Sequence, residues 1–231
     1  LGGTYYLGAS LNANEIELEN GSSSYINGTF TGKLIGSKDG KNYAIYNLKK
    51  PLFNTLRAAT VENLTLKDVN ISGKTDIGAL ANEANNATRI NNVHVDGVLA
   101  GERGIGGLVW KADNSKITNS SFKGRIVNSY ETRSPYNIGG LVGQLTGINA
   151  VVDKSKATIT ISSNADSTNQ TVGGLAGLVE KDALISNSYA EGQINNVKRF
   201  GSVAGVAGYL WDRDSSEERH AGRLHNVLSD V

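Results

Sequence analysis

The chain has 231 residues, a formal net charge of +1, 28 glycines, two prolines and no cysteine. So balanced a charge leaves no electrostatic footprint for nucleic acid or an anionic membrane, and the lack of cysteine excludes a disulfide scaffold and a thiolate metal site without fixing the compartment. No stretch approaches the apolar length that spans a bilayer, no signal-peptide pattern is present, and a glycine excess without proline points to many sharp corners rather than a linker.

The first sixty residues alternate like strands, at Tyr25, Ile26, Phe30, Leu34 and Ile35 and again at Tyr43, Ile45, Tyr46 and Leu48. Period two is the signature of a half-buried strand. Between them SKDGKN (37–42) reads as a hairpin turn. Residues 49–59 are the one stretch whose spacing allows a short helical turn. A stack of strands needs its open edge covered, so we expect residues 1–56 to form an N-terminal cap with irregular first coils. Residues 57–231 are expected to form one continuous domain of regular coils.

Two phrases alternate through that second region. The first is DIGALA (76–81), IGGLVW (105–110), IGGLVG (138–143), VGGLAG (172–177) and FGSVAG (200–205). The second is VENLTL (61–66), INNVHV (90–95), ITNSSF (117–122), ISNSYA (185–190) and LHNVLS (224–229), with VDKSKA (152–157) as a departure. The glycine column is read as Gly78, Gly106, Gly139, Gly173 and Gly201, and the asparagine column as Asn63, Asn92, Asn119, Asn187 and Asn226, with Lys154 in the divergent copy. Strands of this length, repeating every few tens of residues with Gly and Asn corners, predict a parallel β-solenoid. Glycine would supply unusual backbone angles and close approach at one corner. Asparagine would tolerate the left-handed region at another and bond to its equivalent one coil away.

Spacing locates insertions. From Asn to the next glycine the chain takes 14 or 15 residues in three coils, but 20 after Asn119 and 19 after Lys154. The excess residues, 130–136 and 164–170, should leave one side of the stack. A further excess, 209–223, falls in the opposite half of the last coil. The chain starts without methionine and stops part-way through a repeat, so a piece of a longer protein is expected.

The N-terminal segment FTGKLIGSKDGKNYAIYNL, then ATVENLTLKDVNISG, then GGLVG phrases alternating with ISNSYAEG, resembles the glycine-leucine-glycine repeat region of large bacterial surface proteins. The closest resemblance is to streptococcal immunoglobulin A protease-type zinc metallopeptidases. It implies a right-handed parallel β-helix upstream of a zinc catalytic domain, in a secreted protein anchored to the cell wall. It also implies two partners: host immunoglobulin A or another host glycoprotein, and the parent's own catalytic domain. The signature H-E-x-x-H of the catalytic domain is absent here, so this chain is expected to be non-catalytic, with no cofactor of its own and any zinc in the parent's catalytic domain.

Residue types narrow what the coils could do. His94 alternates with Val93 and Val95 and should point outward; His220 and His225 sit five apart near two glutamates, without the rigid three-ligand geometry of catalytic zinc. Asp212 and Asp214 alternate, but the glycine of a calcium loop does not follow. Asp68 and Asp96 are the best carboxylate pair for a carbohydrate-active β-helix enzyme. The stronger candidates are Tyr130, Arg133, Tyr136, Tyr209, Trp211, Arg213 and Arg219, which lie in or beside the insertions and are of the types that dominate interfaces. Trp110 adjoins a glycine phrase and reads as corner packing. The expected function is a scaffold that also engages the substrate of a metalloprotease; a host-binding adhesin without a protease and a carbohydrate-active enzyme are the alternatives.

Overall fold

A strand with apolar residues at alternate positions buries one face, and a repeating chain can pair each such strand with its own next turn. In the computed structural model, which describes residues 1–18, 20–74, 76–128, 136–163, 170–195, 201–211 and 221–231, the chain coils into a parallel β-solenoid. Among the described residues there are three walls. One is a 14-stranded sheet, one a seven-stranded sheet from Ile26–Phe30 to Ala207–Trp211, and one a five-stranded sheet from Ile77–Gly78 to Ser202–Ala204. The helical content described is one 3-10 turn, Ala13–Glu15. Residues 49–59 do not form a helical turn. They carry the strand Phe53–Arg57, whose Phe53 and Leu56 pack into the core in register with Ala81 and Ala84.

A single coil shows the rule. Arg89–Gly101 lies in the long sheet, Ile105–Gly106 in the short one and Val109–Asp113 in the third, and Lys116–Thr118 returns to the long sheet one turn later. Like stacks on like: Ile90 faces Val61 and Ile117, Leu99 faces Ile71 and Ile126, and Val109 faces Ala81 and Val142. These columns fill one core from Leu7 to Ala207.

The corners explain the two phrases. Asn63, Asn92, Asn119, Lys154, Asn187 and Asn226 all sit at φ between +46° and +54°. That is the left-handed region, which asparagine tolerates better than most side chains. The glycine corner differs from expectation, because Gly106, Gly139 and Gly173 do not have positive φ. Their requirement is space. A Cβ on Gly139 would overlap the carbonyl oxygen of Val142 and lie 2.7 Å from the Ala176 Cα on the next coil.

Gly201 does not belong to this column. Thr171, Val172 and Gly173 pair with Ser202, Val203 and Ala204, so Ala204 stands where Gly201 was expected. The phrase matches two frames three residues apart, and the frame with Gly205 and Gly208 at the second and third glycine positions is the one the core accepts.

At the N-terminal end Thr4–Tyr6 pairs with Lys33–Ile35, and Ile26–Phe30 with Phe53–Arg57, both parallel. The hairpin forms as expected: Ser37 and Lys38 pair antiparallel with Asn42 and Lys41, around Asp39 and Gly40 at φ +51° and +74°.

Candidate interaction surface

The asparagine corner builds a polar seam along the outside of the stack. Asn92 Nδ2 donates to Asn63 Oδ1 at 2.8 Å, and Asn226 Nδ2 to Asn187 Oδ1 at 2.8 Å. Between these the seam shifts by one residue. Asn119 Nδ2 donates to Asn91 Oδ1, also at 2.8 Å, because the oxygen of Asn92 is occupied by His94 Nε2 at 2.9 Å. With the amide nitrogen of Asn92 used on Asn63, that oxygen accepts the Nε2 proton, and His94 Nδ1 accepts from the Ser121 hydroxyl at 2.8 Å. Partial burial holds the His94 pKa below its ordinary value, which suits the neutral ring.

The coil whose corner is Lys154 has no corner amide, and Asp153 substitutes for it. Its carboxylate accepts from Ser186 Oγ and Asn187 Nδ2, each at 2.8 Å. Burial acts to raise the Asp153 pKa, but these two bonds and the neighbouring Lys154 outweigh it and hold the group below the usual carboxylate range.

Directly behind the seam runs a second row that the sequence analysis missed. Ser120, Ser155 and Ser188 are buried. Each hydroxyl donates to the carbonyl two residues back and accepts a backbone N–H from the preceding coil, those of Val93, Ser120 and Ser155, at 3.1 Å each. The signal was available as the serine that follows each of Asn119, Lys154 and Asn187.

The insertions share one corner. Asn128 is in register with Ser163, and Tyr136 with Gln170, so the two long connections leave and return at stacked positions. With Ala204 as the true corner residue a third connection appears there: Ser162 pairs with Asn195 and Thr171 with Ser202. A buried polar cluster underlies them. Asn128 donates to the carbonyls of Gly101 and Arg103 at 3.3 and 3.2 Å, Ser163 donates to Asn128, and Gln170 donates to Ser163.

Of the candidate interface residues, Tyr130, Arg133, Arg213 and Arg219 lie outside the described residues. Tyr136 is 1% exposed. It begins the strand Tyr136–Gly139 and packs inward, so it cannot present its ring to a partner. Tyr209 is 44% exposed and meets Trp211 edge to face, with 5.6 Å between ring centroids. Leu210 between them is 40% exposed. Trp110 is half-buried over Gly143, whose Cβ would stand 2.8 Å from Trp110 Cδ1. Asp68 and Asp96 lie on successive coils, where Asp96 Oδ1 accepts the backbone N–H of Asp68 at 2.9 Å. No group of three or more His, Asp or Glu is placed to hold a metal among the described residues. Among them too, no helix is long and apolar enough to cross a membrane.

Comparison with known proteins matches this architecture to a family. Residues 1–97 match the model of the M26 IgA1-specific metallo-endopeptidase N-terminal region, and residues 101–127, 134–162 and 168–195 match the GLUG motif. Over its full length the chain is 94% identical to an immunoglobulin A1 protease of Streptococcus sanguinis, of which it covers 12%. The chain is related to the N-terminal region of the immunoglobulin A1 proteases. A zinc metalloprotease, ZmpC, of Streptococcus pneumoniae is 43% identical over the whole chain, again across 12% of its own length. A solved structure titled IgA1 Protease superposes with a TM-score of 0.92 at 72% identity, over 99% of this chain and 18% of that one. The chain thus spans about an eighth of the curated relatives it matches.

Proposed function

We propose that this solenoid is a rigid, non-catalytic module of a secreted, cell-wall-anchored zinc metalloendopeptidase that acts on host immunoglobulin A or a similar host glycoprotein. It holds the catalytic domain away from the wall and offers surface to the substrate. The zinc belongs to the catalytic domain of the parent protein, and that domain is the module's second partner.

The observation that carries the spacer role is the unbroken parallel pairing of the seven-stranded sheet, from Ile26–Phe30 through to Ala207–Trp211. Each coil is bonded along its strands to the next and shares its core, so bending would break several bonds at once. The engagement role is supported by the Tyr209–Trp211 edge-to-face pair and by the stacking of three connections at one corner. Both roles are tested in the full-length protease. Deleting one coil, residues 120–154, joins Asn119 to Ser155 and keeps the register. Cleavage of immunoglobulin A should fall while hydrolysis of a short peptide persists; unchanged cleavage of the intact substrate would overturn the spacer role. Immobilised chain should retain immunoglobulin A less after Tyr209→Ala and Trp211→Ala, and no retention by the unaltered chain would remove the engagement role.

A further inference from the structure

The corner that carries long connections in the later coils is short in the first two. There three residues separate the long-sheet strand from the five-stranded sheet, between Gly73 and Ile77 and again between Gly101 and Ile105. Two adjoining cavities of about 380 and about 410 Å³ lie along these short connections and share Lys50, Ser72, Gly73 and Lys74 in their lining. Together they make a groove lined by glycine on both coils, Gly73 in register with Gly101. The next residue in that column is Asn128, which turns inward onto the carbonyls of Gly101 and Arg103. Ser22 lines one side of the groove and Glu102 the other.

The chemistry of the lining is specific. Lys50 is half-buried and Lys74 exposed. The ion pairs between described residues are Lys33–Glu62 and Lys156–Glu191, so neither groove lysine has a carboxylate partner there. Two ammonium groups without a carboxylate partner among the described residues, both lining the groove beside Gly73, attract an anion, and the half-buried one gains most from it. Ser22 and Ser72 both donate and accept, and Glu102 accepts. The size falls at the small end of ligand pockets. An extended peptide finds no open strand edge here. The Gly73 carbonyl accepts from the Glu102 N–H, and the Gly101 carbonyl accepts from Asn128.

We propose that this groove binds an anionic saccharide, with its carboxylate or sulfate between Lys50 and Lys74 and its hydroxyls on Ser72 and Glu102. No aromatic ring among the described residues lines the groove, so binding rests on charge and falls as salt is raised. The inference rests on the groove alone, and the scaffold role stands whether or not it fails.

The test is a titration of the isotope-labelled chain, followed by amide chemical shifts, with sialyllactose, lactose sulfate and lactose as probes. The first two separate a carboxylated from a sulfated ligand. At least one should shift the amides of Gly73, Lys74, Gly101 and Glu102, and lactose should not. The double variant Lys50→Ala/Lys74→Ala should weaken that binding at least about fivefold, roughly 1 kcal/mol, with its melting temperature unchanged, whereas Tyr209→Ala should leave it intact. Equal shifts with lactose, no shifts with either anionic probe, or wild-type binding by the double variant would each overturn the proposal. Tighter binding of an acidic hexapeptide at the same amides would overturn it in favour of a peptide site.

Discussion

Among the described residues between Asn92 and Asn187, Ile148 is the one large apolar side chain that stands exposed, whereas the first and last coils expose several. The other exposed large apolar residues among those described are Leu1, Tyr5, Tyr6, Leu11 and Ile16 at one end and Val203, Tyr209, Leu210, Leu224, Leu228 and Val231 at the other. One column shows the change directly. Leu80, Leu108, Leu141 and Leu175 are at most 1% exposed, while Val206, the next residue along, is only partly buried. Interior coils are covered on both sides by neighbours of the same shape, so every position is constrained. An end coil is covered on one side, and its edge strands and apolar side chains are left without a partner in this chain. The repeat itself loosens there: Ala204 replaces the corner glycine in the strand that ends the five-stranded sheet.

The largest expected contrast is at that corner. Gly139→Ala drives a Cβ into the Val142 carbonyl and against Ala176, both backbone and both enclosed. Its cost should exceed about 4 kcal/mol in urea denaturation, whereas Ala204→Gly in the last coil should cost no more than about 1 kcal/mol. Comparable losses at the two sites would break the distinction between interior and end. Asn92→Ala comes next. It places alanine at φ +54° and removes bonds to Asn63 and from His94, for a loss of about 2–3 kcal/mol. Asn226→Ala removes one seam bond at the exposed end and should cost about half as much.

Much of this was legible in the sequence because a solenoid turns periodicity directly into neighbours. The asparagine column could be read from Asn63 to Asn226, since left-handed geometry selects for that side chain at each corner in turn. The hairpin at 37–42 was legible from Asp39 and Gly40. The errors have physical causes too. An apolar–Gly–small phrase fits two frames around Gly201, and only packing against Gly173 and Ala176 separates them. That three-residue slip hid the third long connection. Tyr136 adjoins an insertion, which suggests surface, yet it opens a strand that stacks on Gln170. The shift of the seam onto Asn91 was illegible, because it depends on which oxygen His94 already occupies, whereas the shift onto Asp153 follows from the corner amide missing at Lys154.

A gain is expected where the interior repeat itself departs from its pattern. Lys154 holds φ +49° without the amide that makes this conformation inexpensive. Lys154→Asn should therefore stabilise the chain by about 0.5–1 kcal/mol. A loss would show that the lysine contributes more to its coil than asparagine does to the others.

The smallest effect concerns the residue that keeps the seam continuous there. Asp153 has its pKa depressed in the folded chain, so its contribution is present above the unfolded carboxylate value and lost as pH falls through the folded one. Asp153→Asn keeps an oxygen for Ser186 and Asn187 but removes the charge. The difference in stability between the unaltered chain and this variant should therefore be greatest near neutral pH and shrink as the solution is acidified below the ordinary carboxylate range. The seam lies at the surface, where solvent screens charge, so the neutral-pH difference should stay below about 1 kcal/mol. A difference that grows on acidification would mean that the carboxylate strains the seam, and that the interior coils tolerate this departure only because their neighbours on both sides hold it in place.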